Sequence, residues 1–214
     1  MYHKTIGILG GMGPKSGTDL ANKIIKNTLA NCDQQHIPFI LISQPHLIND
    51  RTEFLLGKNN INPAEIIYQQ IKQLALLGAD IIGLPCNTAH SPAIMDRIVE
   101  LLTENDLPIT LVNMIEAVVE YIVNQFPLAK KIGLLATQGT YQSGIYTNAL
   151  NYYGLELINP PLSYQHLVHQ AIYHPQYGIK STMGDDLTQA ADLLKQVCQY
   201  FISLNVDVII LGCT

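Results

Sequence analysis

The chain repeats itself. Residues 79–86 (ADIIGLPC) recur as residues 206–213 (VDVIILGC), sharing Asp, Ile, Leu and Cys in place, so that Cys86 and Cys213 stand 127 residues apart. A second pair of segments recurs at nearly the same interval, residues 4–13 (KTIGILGGMG) and 130–139 (KKIGLLATQG). An interval this long is one small domain rather than one turn of a solenoid. The repeat therefore predicts two similar α/β halves, residues 1–112 and 113–214, with no flexible linker between them.

Apolar runs at 4–9, 37–42, 79–84, 108–112, 131–136 and 206–212 lack strict alternation, as strands covered on both faces do. Amphipathic stretches lie between them. One helix is expected from Asn62 as cap and Pro63 as first residue to Gly78, and another from Ser91-Pro92. Others are expected at 16–31, 115–125, 141–153, 163–173 and 185–204. Alternating strands and helices joined by right-handed crossovers give parallel sheets layered between helices, an α/β/α arrangement in each half. Were the halves related by a pseudo-twofold axis, the strands ending near Cys86 and Cys213 would point into one cleft, the expected active site.

Composition removes whole classes of function. The formal net charge is −5 and no Lys/Arg cluster is present, which argues against a nucleic-acid partner. No apolar run approaches the roughly 18 residues of a membrane span, and the first residues resemble a strand rather than a signal peptide, so a cytoplasmic protein with reduced thiols is expected. Cys32 and Cys198 fall in line with apolar residues at helical spacing and are read as core thiols. Cys86 and Cys213 instead follow strands, where open parallel sheets place ligands.

Two thiols suit one kind of chemistry. Inverting a stereocentre removes a proton from one face and returns one to the other, which takes two acid/base groups, and a thiol titrates close enough to neutrality to serve as either. The turn after Cys86 offers the backbone N–H groups of Asn87 and Thr88 and the Thr88 hydroxyl to a carboxylate, at an expected helix start. His90 reads as a structural hydrogen-bonding residue, since no second ligand accompanies it at metal spacing, and no metal site is expected. The Gly-rich turn at 10–17 fails both nucleotide patterns. Pro14 stands where a phosphate loop needs Gly before Lys15, and Ser16 stands where a dinucleotide fold needs its third Gly. Its small residues are read as allowing substrate close to the backbone.

Together, GILGGMGP at 7–14, NDRT at 49–52, GLPCNTAH at 83–90, IK at 179–180 and LGCT at 211–214 resemble the aspartate/glutamate racemase family, cofactor-independent two-cysteine amino-acid racemases. DRT with IK is more similar to the aspartate branch. The resemblance implies catalytic Cys86 and Cys213, one per face of the substrate. It implies substrate contacts from Gly11, Met12, Asn87, Thr88 and Thr137, with Arg51 and Lys180 receiving carboxylates, the first bidentately and the second as a point charge. It further implies an aspartate or glutamate substrate, no cofactor and a homodimer.

Two departures stand beside the resemblance. No carboxylate occupies the Gly-rich turn where glutamate racemases place one beside their thiol. Family members continue past Cys-Thr, so the second half is expected to lack its terminal segment. A non-catalytic amino-acid-binding protein, and a thiol-dependent decarboxylase or isomerase of small dicarboxylic acids, remain the alternative readings.

Overall fold

A computed structural model describes residues 4–181 and 186–213. The chain divides into two compact units, the first ending at Met114 and the second running Ile115–Cys213.

The first unit contains β1 (Ile6–Leu9), α1 (Pro14–Asn27), β2 (Phe39–Ile42), α2 (Arg51–Leu55), α3 (Ala64–Leu76), β3 (Ile81–Gly83), α4 (Pro92–Glu104) and β4 (Thr110–Val112). Its sheet is parallel throughout, in the order β2-β1-β3-β4. Neighbouring residues of a strand point to opposite faces, and two glycines show what covers each face. A Cβ at Gly7 would meet Leu74 of α3, and one at Gly83 would meet Leu20 of α1. Helices therefore cover both faces, which is why these strands read as unbroken apolar runs. Leu74, Ile71 and Ile67 of α3 form one core with Ile82, Leu84, Ile94 and Ile98. Burial of each such side chain contributes about 1.5–3 kcal/mol.

The second unit contains α5 (Met114–Gln125) from its second residue onward, β5 (Lys131–Ala136), α6 (Gln138–Ser143), α7 (Ile145–Tyr152), β6 (Glu156–Ile158), α8 (Leu162–Tyr173), α9 (Thr188–Ser203) and β7 (Val208–Gly212). Its described sheet is parallel, in the order β6-β5-β7. Leu135, Val168, Ile172, Val197 and Phe201 form its buried core.

The sequence repeat is a structural repeat. β1 lies between β2 and β3 as β5 lies between β6 and β7. Gly7 is paired with Ile82, and its counterpart Gly133 is paired with Ile209. Gly7 lies under Leu74, while Gly133 lies under the Phe201 ring, the residue 127 positions on from Leu74. Even the acid at the start of the third strand is reused. The Asp80 carboxylate accepts the Thr5 N–H at 2.8 Å, and the Asp207 carboxylate accepts the N–H groups of Lys131 and Lys130, each at 2.8 Å. Those two N–H bonds hold the Asp207 carboxyl below the usual carboxylate range.

One divergence lies at the end of the third strand. Leu84 is 2% exposed beneath α4, whereas its counterpart Leu211 is 71% exposed, because β7 is an edge strand among the described residues.

Several expectations need correction. β6 escaped notice because three residues carry too little pattern. The helix expected over 141–153 is two, α6 and α7, parted by Gly144 at φ +63°. The helix expected from Pro63 begins at Ala64, with Asn62 Oδ1 accepting the Ala64 N–H at 2.9 Å. The helix expected over 185–204 is α9, and residue 185 lies outside the described residues. α1 ends at Asn27, so Cys32 lies beyond it and is exposed rather than a core thiol. Cys198 does pack against the second core, and burial pushes its thiol up. Among the described residues, no helix is long and apolar enough to cross a membrane.

Candidate active site

In the first unit the candidate residues sit at the carboxyl ends of β1, β2 and β3, where open parallel sheets bind ligands. After β1 the Gly10 N–H donates to Ile42 O at 2.7 Å. A Cβ at Gly17 would lie 3.0 Å from Gly10 Cα, so these two glycines let α1 pack onto the strand end. Gly11 has φ +89°, and a Cβ there would lie 3.2 Å from Pro45 N. Three of the turn's glycines are thus required by packing and backbone conformation. Gly13 alone has open space where a Cβ would stand. Pro14, with φ already helical and no N–H to leave unpaired, opens α1 at once.

Arg51 is the first residue of α2, a helix not expected from sequence, because Asp50 caps that helix through Oδ1, which accepts the Glu53 N–H at 2.9 Å. The Asp-x-x-Glu spacing of 50–53 is the signal that reveals such a helix start. Arg51 is buried, with Nη2 donating to Met12 O at 3.3 Å and Nη1 to Asn49 O at 3.2 Å. A buried guanidinium needs such acceptors, and here they tie α2 to the Gly-rich turn.

β3 leads to Cys86. The Cys86 N–H donates to Leu84 O at 2.8 Å, and the thiol belongs to the same buried cluster as Met12 and Ile48. α4 begins at Pro92 with Ser91 as its cap residue, as expected from sequence, and a 3-10 turn, Thr88–His90, precedes it, so the N–H groups of Asn87 and Thr88 lie ahead of that helix rather than at its start. His90 anchors that turn. Its Nε2 accepts the Met114 N–H at 3.2 Å, so the proton resides on Nδ1, which donates to Cys86 O at 2.9 Å. The structural reading of His90 holds. Asn87 and Thr88, at 4% and 6% exposure, lie buried in the same turn.

In the second unit, Ala136 of β5 and Gly212 of β7 are paired, and the next residues are Thr137 and Cys213. These two candidates therefore leave neighbouring strands side by side. Thr137 caps α6 with Oγ1, which accepts the Thr140 N–H at 3.3 Å. Tyr141 braces the strand end, donating to Leu134 O at 2.8 Å and accepting the Ala136 N–H at 3.0 Å. Burial pushes its hydroxyl up to about 12. Cys213 is half-buried against the second core.

Lys180 is held at the end of α8, where Nζ donates to Tyr173 OH at 3.0 Å. Sequence reasoning passed over Tyr173, which looks like any apolar position closing a helix.

A sequence model of the family described as Asp/Glu/Hydantoin racemase matches residues 9–214. The broad specificity amino-acid racemase RacX of Bacillus subtilis is 31% identical over 205 residues, covering 90% of this chain and 84% of its own. Among solved structures, the Picrophilus torridus aspartate racemase is 30% identical with a TM-score of 0.80, covering 98% of this chain and 80% of that one. The Aquifex pyrophilus glutamate racemase shares the fold, with a TM-score of 0.56 at 20% identity over 98% of this chain and 71% of that one. The chain belongs to the Asp/Glu/hydantoin racemase family.

Proposed function

We propose that this member of the amino-acid racemases interconverts the enantiomers of aspartate by two-base proton transfer between Cys86 and Cys213, without cofactor. One cysteine as thiolate takes the α-proton, leaving the electron pair delocalised into the α-carboxylate. The other cysteine, as thiol, returns a proton to the opposite face of the planar intermediate. The next turnover in the same direction requires the two thiols to exchange protons with solvent. The observation that carries the reading is the repeat itself. Two copies of one parallel three-strand unit each carry a cysteine just past the end of their third strand, and a turn of small or hydroxyl residues at the end of the first.

Arg51 and Lys180 supply the cations that a dicarboxylic substrate needs, and Thr137, Asn87 and Thr88 supply polar groups for its α-carboxylate. Gly11 and Met12 form the wall of the turn that Arg51 holds. That the Picrophilus torridus relative is an aspartate racemase supports the aspartate reading for this chain. A broader range that includes neutral amino acids is the second reading, favoured by the broad specificity of the Bacillus subtilis relative.

The test is to incubate the protein separately with L-aspartate, L-glutamate and L-alanine and follow optical activity. Loss of rotation fastest with aspartate supports the first reading, and comparable rates on all three support the second. Binding without loss of rotation would replace both with a non-catalytic binding protein.

A further inference from the structure

We propose that Tyr173 is a positioning residue that fixes the reach of Lys180, and through it the affinity of the protein for a second substrate carboxylate. This rests on the reading of Lys180 as a carboxylate receiver.

The backbone comes first. After α8 the chain folds back on the helix end, with Gly178 N–H donating to His174 O at 2.8 Å, Ile179 N–H to Ala171 O at 2.9 Å and Lys180 N–H to Ile172 O at 3.1 Å. The return is so tight that a Cβ at Gly178 would lie 2.5 Å from both the nitrogen and the oxygen of His174. Inside it the rings of His174 and Tyr177 stack with centroids 3.7 Å apart. The Cα of Lys180 is thereby pinned to α8, although its side chain is exposed and long.

Tyr173 restrains that side chain in two ways. Its hydroxyl accepts from Lys180 Nζ at 3.0 Å, and Nζ lies 4.2 Å from the ring centroid, within cation–π range. His169, one turn earlier on α8, stacks on the same ring at 4.7 Å and 23°, holding its plane. A free lysine loses much rotamer freedom when a ligand orders it. One already ordered on Tyr173 loses less, and the saving appears as affinity. Tyr173 touches no reacting atom in this account, so its effect belongs in KM rather than kcat.

The experiment compares Tyr173→Phe, which keeps the ring, with Tyr173→Leu, which removes ring and hydroxyl. Lysine ε-CH2 groups of the full chain, labelled with carbon-13, are followed by NMR, with Lys180 assigned through Lys180→Arg. The ring should shift the Lys180 signal upfield in the wild type and Tyr173→Phe, and the shift should vanish in Tyr173→Leu. KM for aspartate should rise about 2- to 5-fold in Tyr173→Leu, with kcat within about twofold of wild type. In a Lys180→Ala background the same change should add nothing further. If the upfield shift is absent from the wild type, or KM is unchanged in Tyr173→Leu while Lys180→Ala raises it, the proposal is wrong and the carboxylate reading of Lys180 stands. If Lys180→Ala leaves KM unchanged, both fall together.

Discussion

His90 donates from Nδ1 to the carbonyl oxygen of Cys86 at 2.9 Å, and that bond fixes the turn on which the thiol is carried. Because Nε2 accepts the Met114 N–H at 3.2 Å, the imidazole ties the turn after β3 to the last residue of the first unit. Replacing it with Ala leaves a buried carbonyl and an amide without this partner, at a cost of about 1–3 kcal/mol. His90→Ala should lower the urea midpoint accordingly and reduce kcat. Urea denaturation with racemisation assays checks both, and unchanged stability would show that the bridge contributes nothing.

Arg51 acts through two separate nitrogens on two carbonyl oxygens, Met12 O and Asn49 O. A lysine has one nitrogen and no fork, so Arg51→Lys retains charge but not the tie between α2 and the Gly-rich turn. Steady-state kinetics and thermal melting should show about a tenfold or greater loss of kcat/KM together with a lowered Tm. A melting change with intact KM and kcat would make Arg51 a tether alone.

Tyr141 gives the second unit a pH signature. Its hydroxyl is shifted from the ordinary 10.0 up to about 12 by burial, so the folded state binds the phenolic proton more tightly than the unfolded chain does. That contribution to stability is whole below about pH 10 and declines as pH rises toward 12. Denaturation of wild type and Tyr141→Phe at pH 8 and above pH 10 should show the wild-type advantage at the lower pH and its shrinkage at the higher. A constant difference would contradict the assignment.

Gly133 is tied to Phe201, because a Cβ would land 3.1 Å from the ring. Gly133→Ala should destabilise by about 1–3 kcal/mol through overpacking. Combined with Phe201→Leu, the loss should be smaller than the two single effects added, since the smaller side chain makes room for the methyl. Four denaturation curves measure this coupling, and strict additivity would show that the ring does not feel the methyl.

Much of the fold was legible because the chain says it twice. Strand cores with no polar face announce parallel sheets, and an Asp-x-Ile pattern recurring before two cysteines announces the third strand of each copy. What escaped were elements too short to show a period, β6 and α2. Also missed was the break at Gly144, where one positive φ divides what reads as a single helix. Cys32 was misjudged because its helical spacing continues past the point where α1 ends. At the candidate site, the conformation of the residues named from sequence was not legible. The burial of Arg51 against Met12 O, and the hold of Tyr173 on Lys180, join residues 39 and 7 positions apart that no local pattern links.

The central claim is that two cysteines, not one group, move the proton. Wild-type protein is given L-aspartate in deuterated water, with early samples separated by enantiomer and read for deuterium at Cα. The account predicts deuterium in the D-product while unreacted L-aspartate stays protiated, because the base that removes the proton is not the acid that returns one. It also predicts that Cys86→Ala and Cys213→Ala each abolish racemisation. Deuterium accumulating equally in both enantiomers from the start, or racemisation surviving either substitution, would contradict it.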